Sequence, residues 1–175
     1  YPLAPMQEGI LFHHLLGGEG DVYVSPVLFA FADRGRLDGY VDALKRLVAR
    51  HDALRTSVHW EGLAEPVQAV WREAELQVVE VAPEDEAGDA ATGLLERFDP
   101  RRQRMDLRQA PLLRVHVARD RAQDRWLMLL WAHHVAMDHS ALAVLHEEIL
   151  SHLRGEAHLL GPAQPFRDFV AQARL

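Results

Sequence analysis

The run Trp126-Leu127-Met128-Leu129-Leu130-Trp131 continues directly into Ala132-His133-His134-Val135-Ala136-Met137-Asp138-His139. A short, uninterrupted apolar run of this kind is typical of a buried strand. The histidines and the aspartate that follow it therefore lie where a rigid element delivers side chains to a cleft. Because histidine titrates near neutral pH, this strand end is a natural place for proton transfer.

Helical and strand patterns are mixed along the rest of the chain. Apolar residues at helical spacing predict helices over residues 6–16, 37–48, 85–98, 142–153 (capped by Ser140) and 165–175. Strands are predicted over residues 22–32, 54–60, 66–71, 76–81, 112–118 and 126–132. Because several of these strands follow one another directly, we predict an α+β or α/β fold in which helices flank a mixed sheet.

Composition excludes several classes of function. With 175 residues, 49% hydrophobic and 26% charged, the chain is expected to be one globular domain. The formal charge of −7, without a basic run, argues against a nucleic-acid partner. No apolar stretch approaches the roughly 20 residues that cross a bilayer, and no signal peptide is present, so we expect no membrane partner and a cytoplasmic location. The chain opens at Tyr1 without an initiator Met, which suggests a piece of a longer protein.

The two adjacent histidines of the cluster are expected to differ in role. Neighbours at the end of an extended strand point to opposite faces, so one of His133 and His134 should face the cleft while the other packs inward. Asp138 could enter the cleft, or it could hold the loop through an ion pair, since a buried carboxylate needs a partner. Arg55 is the best placed candidate, because the planar guanidinium meets both carboxylate oxygens.

A metal site is the alternative interpretation of the cluster. Histidine and aspartate are ligands for Zn²⁺ and similar ions. The chain has no HExxH pattern, however, and further ligands would have to come from elsewhere, so we expect no metal. Outside this cluster and the adjacent pair His13-His14, the histidines lack comparable neighbours and are interpreted as structural or exposed: His51, His59, His116, His146, His152 and His158.

Four segments, taken in order, resemble the motifs of one enzyme family. His133-His134-Val135-Ala136-Met137-Asp138 is similar to the HHxxxD motif of the condensation domains of nonribosomal peptide synthetases. Tyr1-Pro2-Leu3-Ala4-Pro5-Met6-Gln7-Glu8-Gly9-Ile10-Leu11-Phe12-His13 resembles the first motif of that family, and Arg50-His51-Asp52-Ala53-Leu54-Arg55-Thr56 resembles the second. Phe166-Arg167-Asp168-Phe169 resembles the fourth. Ordered motifs across the whole chain are more specific than one histidine motif, which acyltransferases of the same fold share.

The resemblance implies a fold, partners and a division into lobes. The family has two chloramphenicol-acetyltransferase-like lobes with the active site in a tunnel between them. Residues 1–175 would be the first, N-terminal lobe, and the second lobe would be absent from this chain. The implied partners are that lobe, the upstream and downstream peptidyl carrier domains and a neighbouring adenylation domain. No cofactor would be bound directly, since the substrates arrive on the phosphopantetheine of the carriers.

A second histidine pair indicates a subtype. The segment from His13-His14 to Gly20-Asp21 fits HHLxxxxGD, which resembles the additional motif of dual epimerization/condensation domains. Such domains invert the α-carbon of the upstream residue before joining it to the downstream amino acid. The residue after Asp138 is His139, where many condensation domains carry Gly, and this departure bears on how open the loop is. Without the resemblance, His13-His14 would be interpreted as a partly exposed pair beside a flexible turn.

The resemblance also implies roles for single residues. His134 would be catalytic, orienting the attacking amine or taking its proton, and exchanging the α-proton in a dual domain. His133 would be a packing residue, and Asp138 would be structural through Arg55. His139 receives no role. A stand-alone epimerization domain of the same superfamily and a non-catalytic half that docks carriers are the alternatives, and full activity is not expected of this lobe alone.

Overall fold

A mixed four-stranded sheet lies at the centre of the computed structural model, which describes residues 1–82 and 89–175. Its strands are β1 (Val24–Phe31), β4 (Val78–Glu80), β5 (Leu113–Asp120) and β6 (Arg125–His133), in the order β1-β6-β5-β4. β6 runs antiparallel to both of its neighbours, and β4 joins β5 in parallel. β2 (Thr56–His59) and β3 (Val67–Val70) form a separate antiparallel hairpin.

Helices cover both faces of this sheet. Within the described ranges the α-helices are α1 (Pro5–Leu16), α2 (Arg34–Arg50), α3 (Ala90–Arg97), α4 (His139–Leu153) and α5 (Phe166–Ala173). None of the described helices has both the length and the apolar character that a membrane crossing requires. The predicted α+β arrangement, with helices around a mixed sheet, is confirmed.

The strand β6 divides the core into two layers. Successive side chains of a strand point to opposite faces, and both faces of β6 are apolar. Leu127, Leu129 and Trp131 pack in the cluster that contains residues of α1 and α3. Met128 and Leu130 pack, with Ala132, in the cluster that contains residues of α2 and α4. The apolar run is therefore buried from both sides, which fixes the position of the histidines that end it.

Most predicted elements are present, with shifted ends. The helical stripe of α2 is buried as predicted, because its apolar side chains face the sheet. The strand predicted from residue 54 begins at Thr56 instead, since Asp52–Arg55 forms a 3-10 turn. The helix predicted over residues 85–98 is α3, which begins at Ala90; residues 85–88 of that prediction lie outside the described residues.

One predicted helix cap is wrong. Ser140 is the predicted cap of the helix after the histidine cluster, but α4 begins at His139 and its N-cap is Asp138. The Asp138 carboxylate accepts a hydrogen bond from the backbone N–H of Ala141 at 2.7 Å. Aspartate and serine are both good N-cap residues, so the pattern alone does not decide between two positions so close together.

Candidate active site

The two histidines at the end of β6 point in opposite directions. His133 is completely buried, whereas His134 is partly exposed. Nδ1 of His133 accepts a hydrogen bond from the backbone N–H of Val135 at 3.1 Å, and Nε2 donates to Oδ2 of Asp21 at 3.2 Å. This pattern requires the proton on Nε2 and fixes a neutral ring. Burial lowers the pKa of His133, although the hydrogen bond to Asp21 opposes that effect, so His133 remains a neutral packing residue.

Asp21 joins the two histidine pairs of the sequence. Its Oδ2 atom accepts from His133 and also from Nδ1 of His14 at 3.0 Å, and its Oδ1 atom accepts from the backbone N–H of Tyr23 at 3.1 Å. The side chain of Asp21 is almost fully buried. Burial opposes ionisation, but the hydrogen bonds from His133 and His14 outweigh it and hold the pKa of the Asp21 carboxyl well below its usual range.

Gly20 allows the chain to approach closely enough for this network. A Cβ atom at Gly20 would lie 2.3 Å from the backbone oxygen of Arg101, far inside contact distance. The next residue, Asp21, donates its backbone N–H to the carbonyl of Pro100 at 2.7 Å. The Gly-Asp step of the HHLxxxxGD segment is therefore a packing requirement, since only glycine fits against the segment that begins at Pro100.

His134 lies at an open cavity of about 560 Å³. Its backbone N–H donates to the carbonyl of Tyr23 at 2.8 Å, and its Nε2 atom is hydrogen-bonded to Oγ of Ser25 at 2.8 Å. Tyr23 directly precedes β1 and Ser25 lies within it, and β1 is the strand paired with β6. The cavity is lined by Met6, Gly9, Ile10, His13, Val22, Tyr23, His134 and Asp138. A histidine held on two sides beside open space can bind or exchange protons with a ligand there.

His13 lines the same cavity from α1. Its Nδ1 atom is hydrogen-bonded to the hydroxyl of Tyr23 at 2.6 Å, and the two rings stack with their centroids 6.0 Å apart. His14, the next residue, points inward to Asp21 instead. The two pairs are therefore alike: each has one histidine on the buried carboxylate and one on the cavity.

The predicted ion pair between Asp138 and Arg55 is absent from the structure. Asp138 is exposed and caps α4. Arg55 donates from Nη1 to the backbone carbonyls of Trp71 and Arg72. The 3-10 turn that ends at Arg55 directs the guanidinium to the end of the β2–β3 hairpin, and two carbonyl oxygens take the place of the carboxylate. Asp138 nevertheless has a structural role, since it begins the helix beside the cavity.

His139 contributes to a different cavity. It lies in the first turn of α4 and is exposed, and it lines an apolar cavity of about 240 Å³ together with residues of α2 and α4. It is not among the residues that line the cavity of His134.

Among the described residues, the atoms that lie close enough together to hold a metal ion are those of the buried network. One ligand atom each from His14, Asp21 and His133 lies within 4.8 Å of the others. The metal interpretation of the sequence concerns the whole cluster from His133 to His139; His133 belongs to this group of atoms, whereas His134, Asp138 and His139 do not. In the structure the carboxylate already accepts a hydrogen bond from each imidazole, and a cation there would have to displace both protons.

Tyr23 and Ser25 are site residues that the sequence did not predict. Both reach the site because β1 pairs with β6 in a register that places Val24 opposite His133. The pattern of residues 22–32 predicts a strand, but it does not reveal which strand is its neighbour. Tyr23 and Ser25 can be identified only when the positions of the histidines are combined with the register of β1 against β6.

Comparison with known proteins agrees with this geometry. The family model described as Condensation domain matches residues 1–174. The whole chain is 44% identical to a segment that makes up 3% of malpibaldin synthetase from Mortierella alpina. In gramicidin S synthase 2 from Aneurinibacillus migulanus, a segment that makes up 3% of the protein is 34% identical over 89% of the chain.

A solved structure shares the fold at low identity. It is a mutant starter condensation domain of rhizomide synthetase in complex with C8-CoA and Leu-SNAC, with a TM-score of 0.77 and 17% identity. The match covers 100% of this chain and 41% of that one, so the chain spans less than half of the solved domain and a few per cent of the synthetases. The predicted chloramphenicol-acetyltransferase-like fold is confirmed. With its histidine motif at the end of a buried central strand and its family match over nearly every residue, the chain belongs to the condensation-domain family of nonribosomal peptide synthetases.

Proposed function

We propose that residues 1–175 are the first lobe of a condensation domain that forms amide bonds between carrier-bound substrates. The donor would be an aminoacyl or peptidyl thioester, and the acceptor an aminoacyl thioester with a free amine. The observation that carries this proposal is the placement of His134, which lies on the open cavity while His133 is buried as a neutral support. A reactive imidazole on a rigid strand end suits a reaction that depends on positioning.

His134 would orient the amine and take up its proton. The amine nitrogen attacks the donor carbonyl, a C–N bond forms, the C–S bond breaks, and the carrier thiol leaves with a proton. Ser25 supports this role because a hydroxyl both donates and accepts hydrogen bonds. Its 2.8 Å bond to Nε2 can therefore persist whether the ring is neutral or protonated. The cavity-facing ring would keep its orientation through the cycle.

An exposed apolar surface at the cavity supports the proposal that a second lobe is present in the complete domain. Met6 and Val22 line it and are 78% and 85% exposed, and Phe12 of the same helix as Met6 is 60% exposed. Large exposed apolar side chains grouped at one place are typical of a surface that another element covers. We propose that the second lobe of the same domain covers it. Substrates would enter on the phosphopantetheine arms of the upstream and downstream carrier domains, beside an adenylation domain.

We also propose that the domain inverts the donor α-carbon before condensation. Support comes from Asp21, which accepts hydrogen bonds from both histidine motifs and so makes the HHLxxxxGD segment part of the same site. His14, Gly20 and Asp21 hold the segment in place, and His13 is the member that reaches the cavity. Epimerization would draw on this second pair, while condensation would depend on His134.

The experiment uses the complete condensation module with an L-configured donor and an acceptor, both loaded on carriers. Chiral chromatography of the product separates the possibilities. A dipeptide with an inverted donor residue is expected. A dipeptide whose donor residue keeps its L configuration would mean condensation alone. Inverted donor without amide would indicate a stand-alone epimerase, and unchanged substrates would indicate a non-catalytic docking half. Each of the last three results would contradict the proposed dual function.

A further inference from the structure

The geometry points to Tyr23, paired with His13, as a second proton-transfer residue on the cavity that His134 lines; this inference rests on the proposed epimerization. Inversion at an α-carbon requires a proton to leave one face and another to arrive at the opposite face. A single base returns the proton to the face it came from unless the intermediate turns over. The site therefore needs a second proton donor, and Tyr23 is placed to be one.

Tyr23 is held in position by its backbone and coupled through its hydroxyl. Its N–H donates to Asp21 at 3.1 Å, and its carbonyl accepts from the N–H of His134 at 2.8 Å. These bonds fix Tyr23 relative to His134. The hydroxyl of Tyr23 is 2.6 Å from Nδ1 of His13, and both of these side chains line the cavity. His13 is exposed, so its ring can exchange protons with water.

The proton transfers balance when water is the only other reactant. His134 takes the α-proton of the donor, and the electron pair of the broken C–H bond passes into the thioester as an enolate. The hydroxyl of Tyr23 then gives its proton to the α-carbon, and His13, protonated on both ring nitrogens, passes its Nδ1 proton to the phenolic oxygen. His134 loses a proton to water and His13 regains one. A tyrosine hydroxyl can act as a general acid in this way, because it holds a transferable proton within reach of the group that replaces it.

The arrangement also explains why the additional motif contains two histidines. His14 binds the buried carboxylate of Asp21, and this bond secures the end of α1 against the segment that leads into β1. His13 is the adjacent residue and reaches the cavity. A lone histidine could do one of these things, whereas the pair anchors the segment and supplies the proton relay.

The test is Tyr23→Phe in the complete condensation module, incubated in D2O with an L- or a D-configured donor on its carrier. Deuterium content at the α-carbon and its configuration are measured separately. The wild type should invert the donor and incorporate deuterium. The rate of inversion by Tyr23→Phe should fall at least tenfold. Through His134, this variant should still exchange the α-proton of one donor enantiomer for deuterium while the configuration of that donor is retained. His13→Phe, which keeps the ring and removes the relay, should behave in the same way.

Tyr40→Phe is the matched control. Tyr40 also makes a tyrosine–histidine hydrogen bond, to Nδ1 of His146 at 3.1 Å, but it lies on α2 and not on the cavity of His134. It should invert the donor at the wild-type rate. Inversion by Tyr23→Phe at the wild-type rate, or parallel loss of inversion and exchange in both the Tyr23 and His13 variants, would overturn the inference. A wild type that neither inverts nor exchanges would overturn the proposed epimerization itself.

Discussion

The Nε2 atom of His133 donates a hydrogen bond to Oδ2 of Asp21 at 3.2 Å, although 112 positions separate the two residues. This bond ties the end of the central strand to the segment that follows α1. It also defines the inward side of the site, since His14 donates to the same oxygen. The outward histidines, His13 and His134, are held on the cavity as a consequence of this anchoring.

Replacing the shared carboxylate tests that anchor. Asp21→Asn removes the charge and turns an N–H group either toward the two imidazole donors or toward the backbone N–H of Tyr23, so at least one buried hydrogen bond is lost. We expect a loss of about 3 kcal/mol in the free energy of unfolding, measured by urea denaturation. The control is Asp42→Asn, whose side chain is 70% exposed and pairs loosely with Lys45; its effect should stay within about 0.5 kcal/mol. Equal stability of the two variants would refute the anchor.

Glycine at position 20 is a second structural requirement. Gly20→Ala places a Cβ atom 2.3 Å from the backbone oxygen of Arg101, and backbone atoms cannot move aside cheaply. The expected cost is about 2 kcal/mol in the free energy of unfolding. Gly18→Ala is the matched control, because a Cβ atom at Gly18 meets nothing within 4 Å. The packing argument fails if both substitutions have the same small effect.

Local patterns predicted the elements and the orientation of the histidines at the end of β6. The period of two in a strand separates His133 from His134 without any knowledge of their neighbours. The stripe from Leu37 to Val48 likewise predicted α2, because one helical face must be buried. Neither inference needed tertiary information.

Contacts between distant elements could not be predicted in the same way. The bond between Asp21 and His133 depends on the pairing of β1 with β6, and the strand patterns do not encode which strands are neighbours. The predicted partner of Arg55 was wrong for a related reason. Chemical preference favours a carboxylate for a guanidinium, but a 3-10 turn places Arg55 beside the carbonyls of Trp71 and Arg72.

Because Asp138 caps α4 and does not pair with Arg55, we expect the two side chains to stabilise the fold independently. Asp138→Ala removes the N-cap of α4 and should cost about 1 kcal/mol in the free energy of unfolding, whereas Asp138→Asn should recover most of it. Because the two residues share no partner, a double-mutant cycle with Arg55→Ala should be additive within about 0.5 kcal/mol. A coupling energy well above that value would instead support the predicted ion pair between Asp138 and Arg55.

The environment of His116 leads us to expect that the folded protein loses stability in mild acid. Its ring stacks on Phe98 with centroids 3.6 Å apart, and its buried Nδ1 atom has no hydrogen-bond partner among the described residues. Burial, followed by the nearby Arg114 and Arg97, lowers the pKa of His116 from 6.5 to about 4. Between these values the unfolded chain binds more protons than the folded one, so stability is complete above pH 6.5 and falls as the pH drops toward 4.

The measurement is the melting temperature from pH 7 down to pH 4, compared between the wild type and His116→Phe. The variant keeps the aromatic stack and removes the titrating group, so its melting temperature should fall less steeply over this range. His133, whose pKa is also lowered by burial, should leave a residual slope of the same sign. An identical slope in both proteins would show that His116 does not titrate as described.

The most direct test of the site is amide formation by His134→Ala in the complete condensation module. A donor of the configuration that condensation accepts is supplied on its carrier, so that epimerization is bypassed, and the melting temperature is recorded alongside. The exposed His158 provides the control variant His158→Ala. We predict that His134→Ala loses at least about a hundredfold in rate at unchanged melting temperature, while the control is active. Amide formation at the wild-type rate, or a loss matched by a fall in melting temperature, would contradict the placement of the chemistry at His134.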